Sequence, residues 1–136
     1  MNIVIMGAHP DDPEGGCGGF ALKAVKAGHK VSCLYMTSGN RYGNAADGQT
    51  VAETREMEAR RAAGVIGAEP NFFRCGDKEV TFDTELLARV TRFIEDSKAD
   101  LVLAHWPADL HPDHQAVGVL ATQAVRSLPN VVLGYY

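Results

Sequence analysis

Apolar residues fall into short runs rich in β-branched side chains, separated by longer stretches of helical period. Asn2 to Gly7, with Ile3-Val4-Ile5-Met6 uninterrupted, predicts a strand. Gly15 to Ala27 predicts a helix that Gly28 stops, and Lys30 to Met36 a second strand. Further on, "VAETREMEARRAAGVI" (Val51 to Ile66) reads as a charged helix and "PNFFRC" as a third strand. Asp83 to Ser97 predicts the third helix and Asp100 to His105 the fourth strand. A helix from Asp113 to Ser127 and the strand "NVVLGYY" follow. Thr37 to Thr50, "TSGNRYGNAADGQT", is polar and glycine-rich and has the length of a binding loop or lid.

Strand and helix alternate throughout, which implies an α/β fold: a Rossmann-like three-layer sandwich with a mainly parallel sheet and right-handed crossovers. In the usual order of such sheets strands 1 and 4 are neighbours, and ligands sit beyond their carboxyl ends. No repeat or linker interrupts the pattern, so one domain over 1–136 is expected. The formal charge of −4 argues against a general affinity for nucleic acid or for an anionic membrane. No run approaches the ~20 apolar residues of a spanning helix, and no basic leader precedes the first strand. A cytoplasmic protein with a small-molecule partner is the expectation. Cys17, Cys33 and Cys75 are odd in number and lack a C-x-x-C pair, which points to reduced structural cysteines.

Two segments carry the chemistry. After strand 1 comes "GAHPDDPEGGCGG", with His9, Asp11, Asp12 and Glu14; after strand 4 comes "WPADLHPDH", with His111, Asp113 and His114. The predicted strand order makes the two face each other across one crevice. Imidazole and carboxylate ligands suit a divalent ion, and a catalytic zinc takes three protein ligands while leaving one position for water. A cation also removes the cost of gathering Asp11 and Asp12, which would otherwise raise each other's pKa. His9, one of Asp11 and Asp12, and one of His111 and His114 make such a set, leaving one aspartate as a base. The glycines of "GGCGG" are a poor dinucleotide fingerprint, because "AHPDDPE" separates them from the strand and no acidic residue closes strand 2.

"AHPDDPE" and "HPDHQAVG", each at its strand end, resemble the two signatures of the LmbE/PIG-L superfamily of zinc-dependent N-deacetylases. "TREMEARRAAGVIGAEP" likewise resembles that family's R-x-x-E helix and the turn after it. The resemblance implies one zinc per chain, with iron or cobalt able to substitute, held by His9, Asp12 and His114. It makes Asp11 the general base. His111 then meets the oxyanion or protonates the leaving amine, and Asp113 orients His111. The implied reaction hydrolyses the N-acetyl group of an N-acetylglucosamine-containing small molecule, releasing acetate and a primary amine.

Arg55, on composition a solvated ion-pair partner of its neighbours, corresponds to an arginine that helps hold substrate; Asn40, Arg41 and Asp77 have weaker claims of that kind. Glu14 is expected either to hydrogen-bond the ring of His9 or to offer negative charge to the first turn of the following helix. His105 reads as an interior histidine and Trp106 as a wall. Family members commonly continue well past the fifth strand, so a chain ending at Tyr136 is expected to be truncated or minimal, with a homo-oligomer as another source of the missing substrate-facing part. A metal-containing binding or regulatory domain without turnover is the alternative function.

Overall fold

A strand covered by helices on both faces needs apolar residues at every position, and the first strand meets that demand. The computed structural model describes residues 1–41 and 48–136. Its elements are β1 (Asn2–Gly7), α1 (Asp12–Lys26), β2 (Lys30–Thr37), α2 (Gly48–Ile66), β3 (Glu69–Cys75), α3 (Thr84–Asp96), β4 (Leu101–Ala104), α4 (Pro112–Arg126) and β5 (Val132–Tyr135). The sheet order is β3-β2-β1-β4-β5 with every pairing parallel, as the alternation predicts. β1 is central. Its Ile3 to Met6 pair with Val31 to Leu34 on one side and Leu101 to Ala104 on the other.

Alternate residues of β1 serve two cores. Val4 and Met6, with Ala8 just past the strand, pack with Val90 and Ile94 of α3 and Val117 and Leu120 of α4. Ile3 and Ile5 pack with Cys17 and Ala21 of α1 and Ala59 and Ala63 of α2. Helix α3 shows the local logic: Leu86, Val90 and Ile94 are buried at a spacing of four residues, and the Asp83 carboxylate caps the start by accepting from the Leu86 N–H at 2.8 Å.

Several boundaries differ from the sequence expectation. Helix α1 begins at Asp12 rather than Gly15, because Pro13 falls in the first turn, where the missing N–H has no intrahelical partner to lose. Thr37 completes β2 and α2 starts at Gly48, so the loop expected over 37–50 is shorter; its residues 42–47 lie outside the described residues. Strand β4 ends at Ala104, leaving His105 just beyond the sheet. No helix among the described residues is long and apolar enough to cross a membrane.

Gly118 sets how closely α4 approaches the β4–α4 loop. A Cβ there would lie 2.6 Å from the His105 carbonyl oxygen and 2.9 Å from the Pro107 nitrogen, both backbone atoms that cannot swing away. Gly118→Ala is therefore expected to destabilise the fold by about 1–3 kcal/mol, the scale of overpacking. Gly64→Ala, in exposed α2 with nothing within 4 Å of the added carbon, should instead stabilise by about 0.5–1 kcal/mol. Urea denaturation of the two variants checks the contrast.

Candidate metal centre

The carboxyl ends of β1 and β4 bring together the β1–α1 turn and the first turn of α4. Asp12 is the meeting point. Its Oδ2 accepts the His9 backbone N–H at 2.7 Å and lies 3.4 Å from His9 Nδ1, 3.1 Å from His105 Nε2 and 3.5 Å from His114 Nε2. The three expected ligands, His9, Asp12 and His114, thus converge on one carboxylate oxygen. Among the described residues three overlapping sets have donor atoms within 4.8 Å of one another: His9, His111 and His114; Asp12, His105 and His114; and His9, Asp77 and Asp113. The expected trio is drawn across the first two.

This donor set fits a divalent cation. It is made of imidazole nitrogens and carboxylate oxygens without thiolate, which suits zinc, iron or cobalt. Burial works to raise the Asp12 carboxyl, but hydrogen bonds from His105 and His9 outweigh it and hold Asp12 well below the usual carboxylate range. Burial lowers His114 further than Asp12 and Asp109 restore it, which favours the neutral ring that ligates metal. His9 is the opposite case: burial depresses it, but Asp12, Asp77 and Asp113 together raise it. That shift favours the protonated ring, whose charge would offset part of the acidic cluster, and a cation would compete with that proton.

Asp11 stands at the mouth, its side chain 67% exposed and paired with Arg55 at 3.0 Å. Arg55 also donates to the Pro10 carbonyl at 2.8 Å, so a side chain that composition read as solvated is only 13% exposed and pins this turn. The turn is strained: Asp11 has φ 144° and ψ −24°, a conformation L residues rarely adopt. The strain turns successive aspartates in different directions, Asp12 inward to the histidines and Asp11 outward to the cleft.

The positions of Asp113 and Asp77 differ from expectation, and that of Glu14 separates its two alternatives. The Asp113 carboxylate, 1% exposed, faces His9 Nε2 at 3.1 Å instead of His111, and it accepts the backbone N–H groups of Lys78 (2.8 Å) and Val80 (3.2 Å). Contact with His111 comes from the Asp113 backbone N–H, which donates to His111 Nδ1 at 3.2 Å because His111 is the N-cap of α4. That bond leaves the ring proton on Nε2. Glu14 does not bond His9; its Oε1 accepts the Tyr35 hydroxyl, while Oε2 is buried with no partner among the described residues. It does lie in the first turn of α1, where negative charge suits the helix dipole. Asp77 is buried behind His9, with Oδ1 3.4 Å from Nε2 and Oδ2 accepting the Arg41 N–H at 2.8 Å.

A cleft of about 360 Å³ opens onto these groups, lined by Asp11, Arg41, Arg55, Asp77, Lys78 and His111 among others. Arg41 thus borders the cleft, with its guanidinium on Glu79. Asn40 does not; it borders a separate hollow of about 420 Å³ with Glu56 and Arg74. A further hollow, about 600 Å³, lies at the opposite ends of the strands. The residue missed by the sequence reading is His105, whose one signal was its place at the carboxyl end of strand 4, beside the switch point.

The chain belongs to the PIG-L family: the family model described as GlcNAc-PI de-N-acetylase matches residues 4–125. It is 29% identical to the diacetylchitobiose deacetylase of Thermococcus kodakarensis, over 94% of this chain and 51% of that protein. To a probable N-acetyl-alpha-D-glucosaminyl L-malate deacetylase 2 of Bacillus anthracis it is 26% identical, over 95% of this chain and 61% of that one. The structure superposes on the N,N'-diacetylchitobiose deacetylase from Pyrococcus horikoshii with a TM-score of 0.87 and 28% identity, covering 94% of this chain and 51% of that one. The chain spans about half the length of the first of these relatives.

The strain at Asp11 is open to measurement without reference to activity. Asp11→Gly and Asp11→Ala both remove the carboxylate and its pair with Arg55, and only the first relaxes the backbone. The glycine variant should be the more stable of the two by about 1–3 kcal/mol in urea denaturation. Equal stabilities would mean that the turn relaxes without glycine.

Proposed function

We propose that the protein is a zinc-dependent N-deacetylase that hydrolyses the acetamide of an N-acetylglucosamine-containing small molecule, giving acetate and a primary amine. The observation that carries the reading is the convergence of His9, His105 and His114 on Asp12, beside an exposed carboxylate, Asp11. Family membership and relatives named as deacetylases of N-acetylated sugars support it. His9, Asp12 and His114 would hold the ion. When bound, it supplies Lewis-acid polarisation of the amide carbonyl and acidifies water.

The chain's own groups do the proton work. Asp11, open to the cleft and held by Arg55, takes a proton from the water that attacks the carbonyl carbon. His111, with its proton on Nε2, donates to the oxygen that gains charge or to the departing nitrogen. As the C–N bond breaks, the nitrogen leaves as the free amine. Behind the site, Asp113 and Asp77 hold His9 through its Nε2 and leave Nδ1 turned toward Asp12. Arg41 and Lys78, at the rim, are placed to meet polar groups of the sugar or its aglycone.

Zinc content measured beside acetate release, with diacetylchitobiose and N-acetylglucosaminyl malate as substrates, tests this reading. His114→Ala should lose metal and turnover together. His111→Ala should keep the metal while kcat falls about 10²–10³-fold, the scale of one lost transition-state donor. Asp11→Ala should also keep it, with a fall of about 10²–10⁴-fold. Zinc lost from His111→Ala and kept in His114→Ala would exchange the two roles. Full activity in all three variants would sink the mechanism.

A further inference from the structure

His105 has no part in the proton transfers above, yet it is 4% exposed and touches two of the three residues proposed to hold the ion. Its Nε2 lies 3.1 Å from Asp12 Oδ2, and its ring stacks on that of His114 with centroids 3.8 Å apart and planes 5° from parallel. Tyr136 sits against it at 5.0 Å, and Gly118 lets α4 press on its carbonyl. A ring held from so many sides is a rigid part.

We propose that His105 is a positioning residue of the metal centre: its Nε2–H fixes the Asp12 carboxylate and its face fixes the His114 ring. The inference rests on the metal site of the proposed function and adds a residue to it. Donor geometry separates this role from that of a ligand. An imidazole lone pair lies in the ring plane, and zinc sits about 2.0–2.1 Å from the nitrogen it binds. Two stacked, nearly parallel rings have planes that do not meet, so one ion cannot lie in both. With His114 as the ligand, His105 is left to hold Asp12.

The proton on Nε2 follows from the partners. The Ala8 N–H lies 3.2 Å from the same nitrogen and would use it as an acceptor, whereas the Asp12 carboxylate requires a donor. One ring nitrogen does one or the other. The contact with an ionised carboxylate is the charge-assisted one, and on that ground the proton is assigned to Nε2 at the expense of the Ala8 N–H, which gives up that acceptor. Asp12 Oδ2 then receives two donors, the His9 backbone N–H and His105, before any ion arrives. Partners of this kind orient a ligand and are worth about 10–100-fold in metal affinity.

The test is the affinity of the full chain for Co²⁺ and Zn²⁺, by competition with a chromophoric chelator, together with the visible absorption of bound Co²⁺. His105→Phe keeps a stacking face and removes the N–H; it should bind about 10–100-fold more weakly, with an altered Co²⁺ absorption. His105→Gln, whose amide reaches toward Asp12, should recover part of the loss, and the shorter His105→Asn should not. The melting temperature of each metal-free variant shows whether it is folded; if His105→Phe does not fold, the comparison of Gln with Asn carries the test. His105→Phe with wild-type affinity and absorption, or Gln no better than Asn, overturns the positioning role. A loss as complete as that of His114→Ala also overturns it, by making His105 a ligand. Failure of the unmodified protein to bind either ion would overturn the metal centre itself, a result distinct from unchanged binding in the His105 variants.

Discussion

One carboxylate oxygen, Asp12 Oδ2, faces nitrogens from three separate parts of the chain: the β1–α1 turn, the end of β4 and the first turn of α4. Burial would raise that carboxyl, and the imidazole hydrogen bonds that offset it require these segments to meet. The surrounding structure serves that requirement. Parallel pairing of β1 with β4 sets the distance between the two motifs, and Gly118 lets α4 come close enough for His114 to reach. Arg55 and the strained Asp11 turn separate the inward aspartate from the outward one.

The layers around the site have different mechanical characters. Behind His9, Asp77 and Asp113 are buried and tied to the backbone N–H groups of Arg41, Lys78 and Val80, so their orientation follows from the loops after β2 and β3. In front, Asp11 and Lys78 are open to solvent, Asp11 with its carboxylate paired to Arg55. Burial at the back and exposure at the front put the open side of the site toward the cleft.

The strand and helix pattern was legible because β1 to β5 are short and apolar and the glycines and prolines mark their ends. The order of β1 and β4 followed from the rule for parallel crossovers, and with it the meeting of the two motifs; singling out His9, Asp12 and His114 within them took the family resemblance. What could not be read are contacts that depend on a particular approach across the sheet. Asp113 follows directly on "HP", and nothing in that spacing says that its carboxylate turns to His9 in another loop. Glu14 lies five positions after His9 but on the face of α1 that meets Tyr35 of β2. His105 has the composition of an interior residue and is interior; that its Nε2 meets Asp12 depends on where β4 stops. Arg55 was ambiguous for a similar reason, since solvated and inserted arginines share the same helical spacing.

The parallel neighbours of β1 lie at very different distances along the chain. β2 follows after one helix, whereas β4, paired through Ile3 with Leu101, is synthesised only after two further helices and a strand. During translation the aspartates of the first motif therefore exist for a time with His9 but without His105 and His114, which later join them. Closing so long a loop comes late in entropic terms. A cation reaching this centre would bind the finished topology far better than any partial one, so its binding would add to the stability of the completed fold alone.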